Sequence, residues 1–341
     1  MASIEIKNID SKEVWENFLT SHPEANFLQS WYWGEFHKNL GSKIYRTGFY
    51  NHGSLVGVML SVVEDAKRGR YLTVPAGPII DWRNHDLVNN FVEQLKRQAQ
   101  QANCAFVRVR PQLEATDFSK KLFGDLGFIS APIHLHAELT SQLNLSPTED
   151  QLLANMRKAT RYEIKKGINQ GIVVSSTADP NAIQAFYDLQ LLTSERQKFV
   201  PFSYKFFFEQ FNVFAAAGKA LLYSATLDGK LLAQGFIIFY GSEAAYHYGA
   251  STDEGRKHPG AYLIQWEAIK EAKRRGMQRY NFWGVTREDQ KTHRFYKLSI
   301  FKRGFDGKDL EYLHAQDLVI NRVKYLLNWA VENIRKRVRH V

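Results

Sequence analysis

Apolar residues along this chain keep two periods, and the periods change in the same order twice. Through "YRTGFYNHGSLVGVMLSVVED" and "YLTVPAGPII" they alternate with polar ones, which predicts strands turned at Asn51-His52-Gly53. The period then becomes helical across Asp86 to Asn103, where Leu87, Phe91, Leu95 and Ala99 share one face. A strand from Phe106 to Val109 follows, closed by Pro111. Residues 218–284 repeat this order. "LLYSATLDGKLLAQGFIIFYG" and "AAYHYGAST" read as strands, 261–275 as a helix, and "QRYNFWGV" as a strand ending at Trp283. Gly41 and Gly218, Gly53 and Gly229, and Cys104 and Gln278 stand at a nearly constant separation. Two copies of one unit are therefore expected.

The remaining segments frame these copies. Ser11 reads as the cap of a helix through "KEVWENFLTSH", and Ser30 as the start of a second that carries Trp33, Phe36 and Leu40 to Gly41. A short helix is predicted over 117–126, and "PIHLHAEL" after it reads as a strand. Ser146-Pro147-Thr148-Glu149 opens a helix, with "EDQLLANMRKATRYEIKKG" read as one helix ending at Gly167. Another runs from Asp179-Pro180 to about Ser194, ahead of "SYKFFFEQFNVFAAAG". The chain closes on a predicted helix from Asp317 to Arg339 with Val319, Val323, Leu326, Ala330 and Ile334 on one stripe. That stripe is expected to pack inward on the first copy, turning Arg322, Lys324, Lys336, Arg337 and Arg339 outward. The expected domains are 1–145 with 310–341, and 146–309; the class is α/β (α+β) with mixed sheets flanked by helices.

Composition adds less than pattern. A chain of 341 residues with 44% hydrophobic and 23% charged residues has material for two cores. The single cysteine, Cys104, sits in an apolar run and reads as a buried thiol; it fits a reducing cytoplasm. No apolar run approaches the length of a bilayer span, and the first residues do not read as a signal peptide. A cytoplasmic monomer is expected. The formal net charge of +10 favours polyanionic partners, and 13% aromatic residues are compatible with stacking.

Phosphate-loop, zinc-protease, C-x-x-C and nucleophile-elbow signatures are absent. His134 and His136 would share a strand face without a third ligand nearby, so no metal is expected, and no bound cofactor. In "RKHPGAYLIQWEAIKEAKRRG" a turn with Gly260 precedes a helix, as acetyltransferase-like folds present N–H groups to an anion. His258-Pro259-Gly260 lacks a dense glycine run, so the architecture reads acetyltransferase-like with its coenzyme A loop lost. "MRKATRYEIKKG" gathers Arg157, Lys158, Arg161, Lys165 and Lys166 on one predicted helix, a candidate polyanion surface.

"NFLQSWYWGEFHK", "MRKATRYEIKKG", "GAYLIQWEAIKEAKRRGMQRYNFWGV" and "FKRGFDG" stand in the order that resembles the Fem-type (FemABX) aminoacyltransferases. The resemblance covers essentially the whole chain, and no coiled-coil arm interrupts it, as in compact FemX-type members. It implies twin acetyltransferase-like (GNAT-like) domains, with the precursor bound by the first and aminoacyl-tRNA by the second. It further implies transfer of a small amino acid (Gly, Ala or Ser) from aminoacyl-tRNA to the stem peptide of a UDP-linked or lipid-linked muropeptide precursor. Peripheral contact with an anionic membrane would suit a lipid-linked acceptor. By motif, Lys302, preceded by Phe301, matches the lysine near the reacting carbonyl. His37 or Lys38, with Trp33, matches one phosphate site, and Arg196 in "TSERQKFVPF" another. Tyr248 joins the substrate-binding candidates, and Arg157, Lys158, Arg161, Lys165 and Lys166 those for tRNA. Arg110 stands where the family often carries an acid. Other readings are an acetyl-coenzyme A-dependent N-acyltransferase, a Fem-like transferase with another acceptor, and a non-catalytic RNA-binding protein.

Overall fold

The computed structural model describes residues 4–66, 69–197 and 200–339, with backbone alone for 197 and 337–339. The chain divides into two compact units, Met1–Glu138 with Glu311–Val341, and Leu139–Leu310.

The first copy starts with β1 (Ile4–Asn8), α1 (Lys12–Thr20) and α2 (Trp31–Asn39). Ser11 and Ser30 cap the two helices, their hydroxyl oxygens accepting the N–H of Val14 at 3.3 Å and of Trp33 at 3.1 Å. Strands β2 (Ile44–Asn51) and β3 (Ser54–Ala66) form a hairpin. Its turn residues, His52 at φ 48° and Gly53 at φ 80°, have the paired positive φ that matches strand twist. Next come β4 (Gly69–Pro75), β5 (Ile79–Ile80), α3 (His85–Gln101), β6 (Phe106–Arg110), α4 (Asp117–Asp125) and β7 (Ile129–Ser130).

The second unit opens with β8 (Leu139–Asn144), α5 (Glu149–Asn155), α6 (Lys158–Asn169) and β9 (Val173–Thr177). It continues through α7 (Ile183–Gln197), α8 (Tyr204–Ala216), β10 (Ala220–Leu227), β11 (Lys230–Tyr240) and β12 (Glu243–Ser251). It ends with α9 (Gly260–Arg274), β13 (Arg279–Gly284), α10 (Tyr296–Arg303) and β14 (Lys308–Glu311). The chain then returns to the first unit as β15 (Gln316–Val319) and α11 (Arg322–Arg339).

The sheets correspond strand by strand. The first runs β1-β2-β3-β4-β6-β15-β7 with β5 on β3, and the second β14-β8-β13-β12-β11-β10-β9. Each contains a parallel pair, β4 with β6 and β12 with β13, bridged by the crossover helices α3 and α9. The hairpin turn recurs at Asp228 and Gly229, with φ 50° and 75°. Each sheet takes the strand beyond its parallel pair from outside its own copy: β15 in the first, β8 in the second. The inward face of α3 is the one periodicity assigns, Leu87, Phe91, Leu95 and Ala99, and α9 buries Leu263, Ile264, Ala268 and Ala272. Cys104 is buried, which pushes its thiol up to about 11.

Five expectations change. Residues 131–138, with His134 and His136, are irregular, and the strand begins at Leu139. Glu138 holds that loop: its carboxylate meets His314 Nδ1 at 2.7 Å and accepts the Ala315 N–H at 2.9 Å. The single helix expected up to Gly167 is two, because Arg157, at ψ 141°, breaks it. The Arg157 N–H instead donates to Gly304 O at 3.0 Å, and the Arg161 guanidinium caps the carbonyls of Ala154 and Met156. Asp317 and Val319 belong to a strand, so the last helix starts at Arg322. Its apolar stripe faces solvent: Val323, Leu326 and Ile334 are exposed, while Tyr325, Asn328 and Glu332 are buried. Arg322, Lys324 and Lys336 are exposed, and the side chains of Arg337 and Arg339 lie outside the described residues. The units, finally, break at 138/139 and 310/311, not at 145/146 and 309/310, because 139–144 pairs with β13.

Candidate functional site

Buried polar and titratable side chains gather in the second unit at the end of β13. The register against β8 shifts between Asn281 and Gly284, and Trp283 adopts φ 65°, a left-handed conformation uncommon for a bulky side chain. The Asn281 side-chain oxygen accepts the Trp283 N–H at 2.8 Å and supports that turn. Helix α10 aims Ser299 and, one turn later, Lys302 and Arg303 at the same place. Ser299 Oγ accepts the Thr286 N–H at 2.8 Å, Arg303 Nη2 donates to Thr286 O at 2.5 Å, and Lys302 Nζ donates to Gly284 O at 2.7 Å.

Lys302 is buried, and burial lowers its pKa from 10.5 to about 7. Its Nζ lies 5.8 Å from the centroid of the Tyr246 ring. That ring occupies the space that Gly249 leaves open, since a Cβ there would sit 1.7 Å from the Tyr246 hydroxyl. Burial pushes the Tyr246 phenol up to about 12.

A bulge in β12 supplies the neighbouring group. Phe236 stands opposite Tyr248 and Ile237 opposite Tyr246, leaving His247 as the extra residue. Its ring lies 5.2 Å from that of Trp283, and Gln210 Nε2 meets His247 Nε2 at 2.9 Å. Burial lowers the His247 pKa to about 3, so at neutral pH the imidazole is uncharged and accepts from the Gln210 amide. The result is a buried, aromatic-walled cluster with one amine that titrates near neutrality. Such an amine serves as an ammonium donor toward developing negative charge.

The other candidates are dispersed. Phe301 packs on Tyr262 at 4.8 Å and Phe305 at 5.4 Å; it belongs to the core beside the site and does not line it. Tyr248 is half-buried against Phe207 and Phe236. Arg196, at the end of α7, pairs with Asp253 at 2.8 Å. On α6, Lys158, Arg161 and Lys165 are exposed on the face that also carries Tyr162, 64% exposed; Lys166 leans 3.9 Å from Glu163. Arg157 Nη2 donates to Ile300 O at 2.6 Å.

In the first unit Trp33 is a core residue against Phe27, Phe36 and His37. His37 is buried as well, and burial lowers its pKa to about 4. It is therefore neutral at physiological pH, so of His37 and Lys38 it is not the one that offers a phosphate a positive charge. Lys38 is the exposed basic group of the pair, 3.1 Å from Glu35. Behind it the Arg46 guanidinium stacks 3.5 Å from the centroid of Trp31 and bonds Glu35 at 2.8 Å. Arg110 is buried, donates to Gln112 Oε1 at 2.6 Å and faces the Tyr312 ring.

Sequence reasoning missed His247, Gln210, Tyr246, Ser299 and Arg303. The density of aromatic and polar residues in "AAYHYGAST" was a signal, but the bulge that turns His247 inward has no local signature.

The comparisons with known proteins agree with this architecture. A solved structure described as FemX superposes with a TM-score of 0.85 over 95% of this chain and 99% of its own, at 19% identity. A tandem GNAT protein from the clavulanic acid biosynthesis pathway superposes with a TM-score of 0.57 over 93% and 98%, at 11% identity. The chain is 20% identical to the lipid II:glycine glycyltransferase of Staphylococcus aureus (strain USA300) over 94% of both chains. It is 21% identical to aminoacyltransferase FemA of Staphylococcus aureus (strain bovine RF122 / ET3-1), over 97% of this chain and 99% of that one. These two alignments run to 398 and 417 positions, so both relatives carry residues with no counterpart among the 341 of this chain. The FemAB family matches residues 11–123, 131–231 and 228–333, and the chain belongs to that family.

Proposed function

We propose that the protein is a peptidoglycan aminoacyltransferase. In this reading it moves an amino acid from aminoacyl-tRNA to an amine on the stem peptide of a lipid-linked or UDP-linked precursor. Family membership and the activities for which the two staphylococcal relatives are named support the reaction class. The observation that carries the reading within this chain is Lys302, buried on Gly284 O with its pKa lowered to about 7.

An aminoacyl ester is already activated, so aminolysis needs no ATP and no acyl-enzyme. The acceptor nitrogen attacks the ester carbonyl carbon, and the carbonyl oxygen takes the negative charge. The C–O bond to the ribose then breaks as the amide forms, and the ribose oxygen takes up the proton that the amine gives away. Lys302, as an ammonium in a dry site, donates to the oxyanion of the tetrahedral intermediate, an interaction stronger in the transition state than in the ground state. In this assignment the first unit serves the acceptor, with Lys38 the exposed cation for a precursor phosphate. The second serves the donor, with Lys158, Arg161, Lys165 and the exposed Tyr162 offering cations and a stacking surface to RNA. Arg196 is available to a phosphate once it leaves Asp253.

The test supplies charged tRNA with each acceptor, UDP-linked or lipid-linked, and runs acetyl-coenzyme A in parallel. Amide formation that needs both charged tRNA and a muropeptide, and that collapses in Lys302→Ala, is expected. Turnover with acetyl-coenzyme A alone would assign the fold to the other acyl donor. The loop before α9 speaks against that outcome. The Gly255 N–H is taken by Thr252 Oγ1 at 2.8 Å and the Lys257 N–H by Glu254 O at 2.9 Å, so neither faces an incoming pyrophosphate.

A further inference from the structure

Helix α11 is amphipathic and sits the opposite way from a core helix. Val323, Leu326, Leu327, Ala330 and Ile334 follow the i, i+3, i+4, i+7, i+11 spacing of a single face. Val323, Leu326, Leu327 and Ile334 are 62–71% exposed. The buried face instead carries Tyr325, Asn328 and Glu332.

This orientation is held by specific bonds. Arg108 of β6 binds Asp317 through Nε and Nη2, each at 2.8 Å, and binds Glu332 through Nη2 at 2.8 Å and Nη1 at 3.2 Å. The Tyr325 hydroxyl donates to Asp317 at 3.0 Å, and its ring meets Phe106 at 5.3 Å. Rolling the helix to bury its leucines would leave Arg108 without Glu332 in a dry site. The apolar stripe therefore faces outward by construction, as a contiguous patch of the kind that marks an interaction surface.

The rim of the patch identifies its partner. Arg322, Lys324, Arg335 and Lys336 are exposed along the helix. Between Arg322 and Lys336 the sole acidic residue is Glu332, which is buried and bound to Arg108. Two copies meeting through this face would oppose rims of the same sign, an arrangement that repels. A bilayer bearing anionic headgroups accepts both features at once: leucines and isoleucine enter the headgroup–acyl boundary, and the cations meet phosphates. Trp329, half-exposed at the edge of the stripe, suits the interfacial level. No helix among the described residues is long and apolar enough to cross a membrane, so α11 would lie in the interface plane.

We propose that α11 is a peripheral membrane-docking helix that inserts its Val323–Ile334 stripe into an anionic phospholipid bilayer. The surface stands apart from the transferase reading and is measured without either substrate, so the two can fail separately.

The experiment is cosedimentation of the full chain with vesicles of phosphatidylcholine, alone or mixed with phosphatidylglycerol. Partitioning onto the mixed vesicles at least about tenfold stronger than onto pure phosphatidylcholine is expected, weakening as salt is raised. The double substitution Leu326→Glu with Leu327→Glu replaces two exposed side chains, so the fold is retained, as near-ultraviolet circular dichroism would verify. That variant should lose at least about tenfold of the binding. Lys324→Glu with Arg335→Glu should remove the preference for the anionic vesicles. Absence of binding to either vesicle overturns the proposal, as does undiminished binding of the leucine variant. Light scattering that finds a dimer abolished by Leu326→Glu, without vesicle binding, would make a second copy the occupant and overturn it equally.

Discussion

The two units share a sheet order and a hairpin turn but treat a buried cation differently. In the first, Arg108 lies between the carboxylates of Asp317 and Glu332. Burial opposes its charge, yet the two carboxylates more than offset this, and its pKa rises. In the second, Lys302 meets a carbonyl oxygen in place of a carboxylate, and burial lowers it to about 7. The helix that follows the parallel strand differs accordingly. Helix α4 keeps Lys121 outside, 2.7 Å from Asp125, whereas α10 turns Lys302 inside. A buried cation with full ionic pairing is a fastener. One left on a carbonyl dipole becomes a titrating group poised for chemistry.

Breaking the fastener should have the largest effect. Arg108→Met leaves two carboxylates buried without their cation and should cost about 3–5 kcal/mol of stability, read by urea denaturation. A loss below about 1 kcal/mol would mean that Asp317 and Glu332 find water in its absence.

Next comes Lys302. Lys302→Ala should slow transfer by the equivalent of about 2.7–4 kcal/mol, the usual worth of an oxyanion donor, while exposed Lys121→Ala leaves turnover unchanged. Stability should move the other way. Between about 7 and 10.5 the unfolded chain holds the Lys302 proton and the folded one does not, so stability rises with pH across that window. Lys302→Met should therefore melt higher than the parent at pH 6, with the gain shrinking as pH approaches 10. A variant that loses both activity and stability would make Lys302 a structural residue only.

The buried imidazoles compare the units again. His37 and His247 have pKa values lowered to about 4 and about 3 from 6.5, so each must gain a proton when the chain unfolds in mild acid. Their contribution is present above pH 6.5 and is lost as pH falls toward those values, by up to about 3 kcal/mol for His37 and somewhat more for His247. His37→Leu and His247→Gln should each flatten the acid limb of stability against pH; an unchanged limb would show that the residue is charged in the fold.

The smallest effect tests the likeness itself. Gly53→Ala and Gly229→Ala force a Cβ into the left-handed region at matched turns, at a cost of about 1–2 kcal/mol each. Clearly unequal losses in thermal melts would separate hairpins that look equivalent.

The repeat was legible because it rests on local physics. Alternation, helical period, serine caps and the turn glycines each act over a few residues, and the structure keeps them at Ser11, Ser30, Gly53 and Gly229. The family was legible too, through four short motifs in order along the chain. His37 and Trp33 were misplaced because "SWYWGEFHK" does not reveal which side of a short helix meets the core. The register shift at Gly284 and the bulge at His247 depend on pairing with strands distant in sequence.

What the sequence determined by itself is the inventory: two α/β copies, their turns, and a basic amphipathic last helix. Which face of that helix is buried was decided only by tertiary structure. Arg108 lies far along the chain from both Asp317 and Glu332, yet its ionic bonds to them outweigh the usual inward pull on Leu326 and Leu327. Lys302 follows the same rule, since its proton affinity is lowered by the burial that the fold imposes on it.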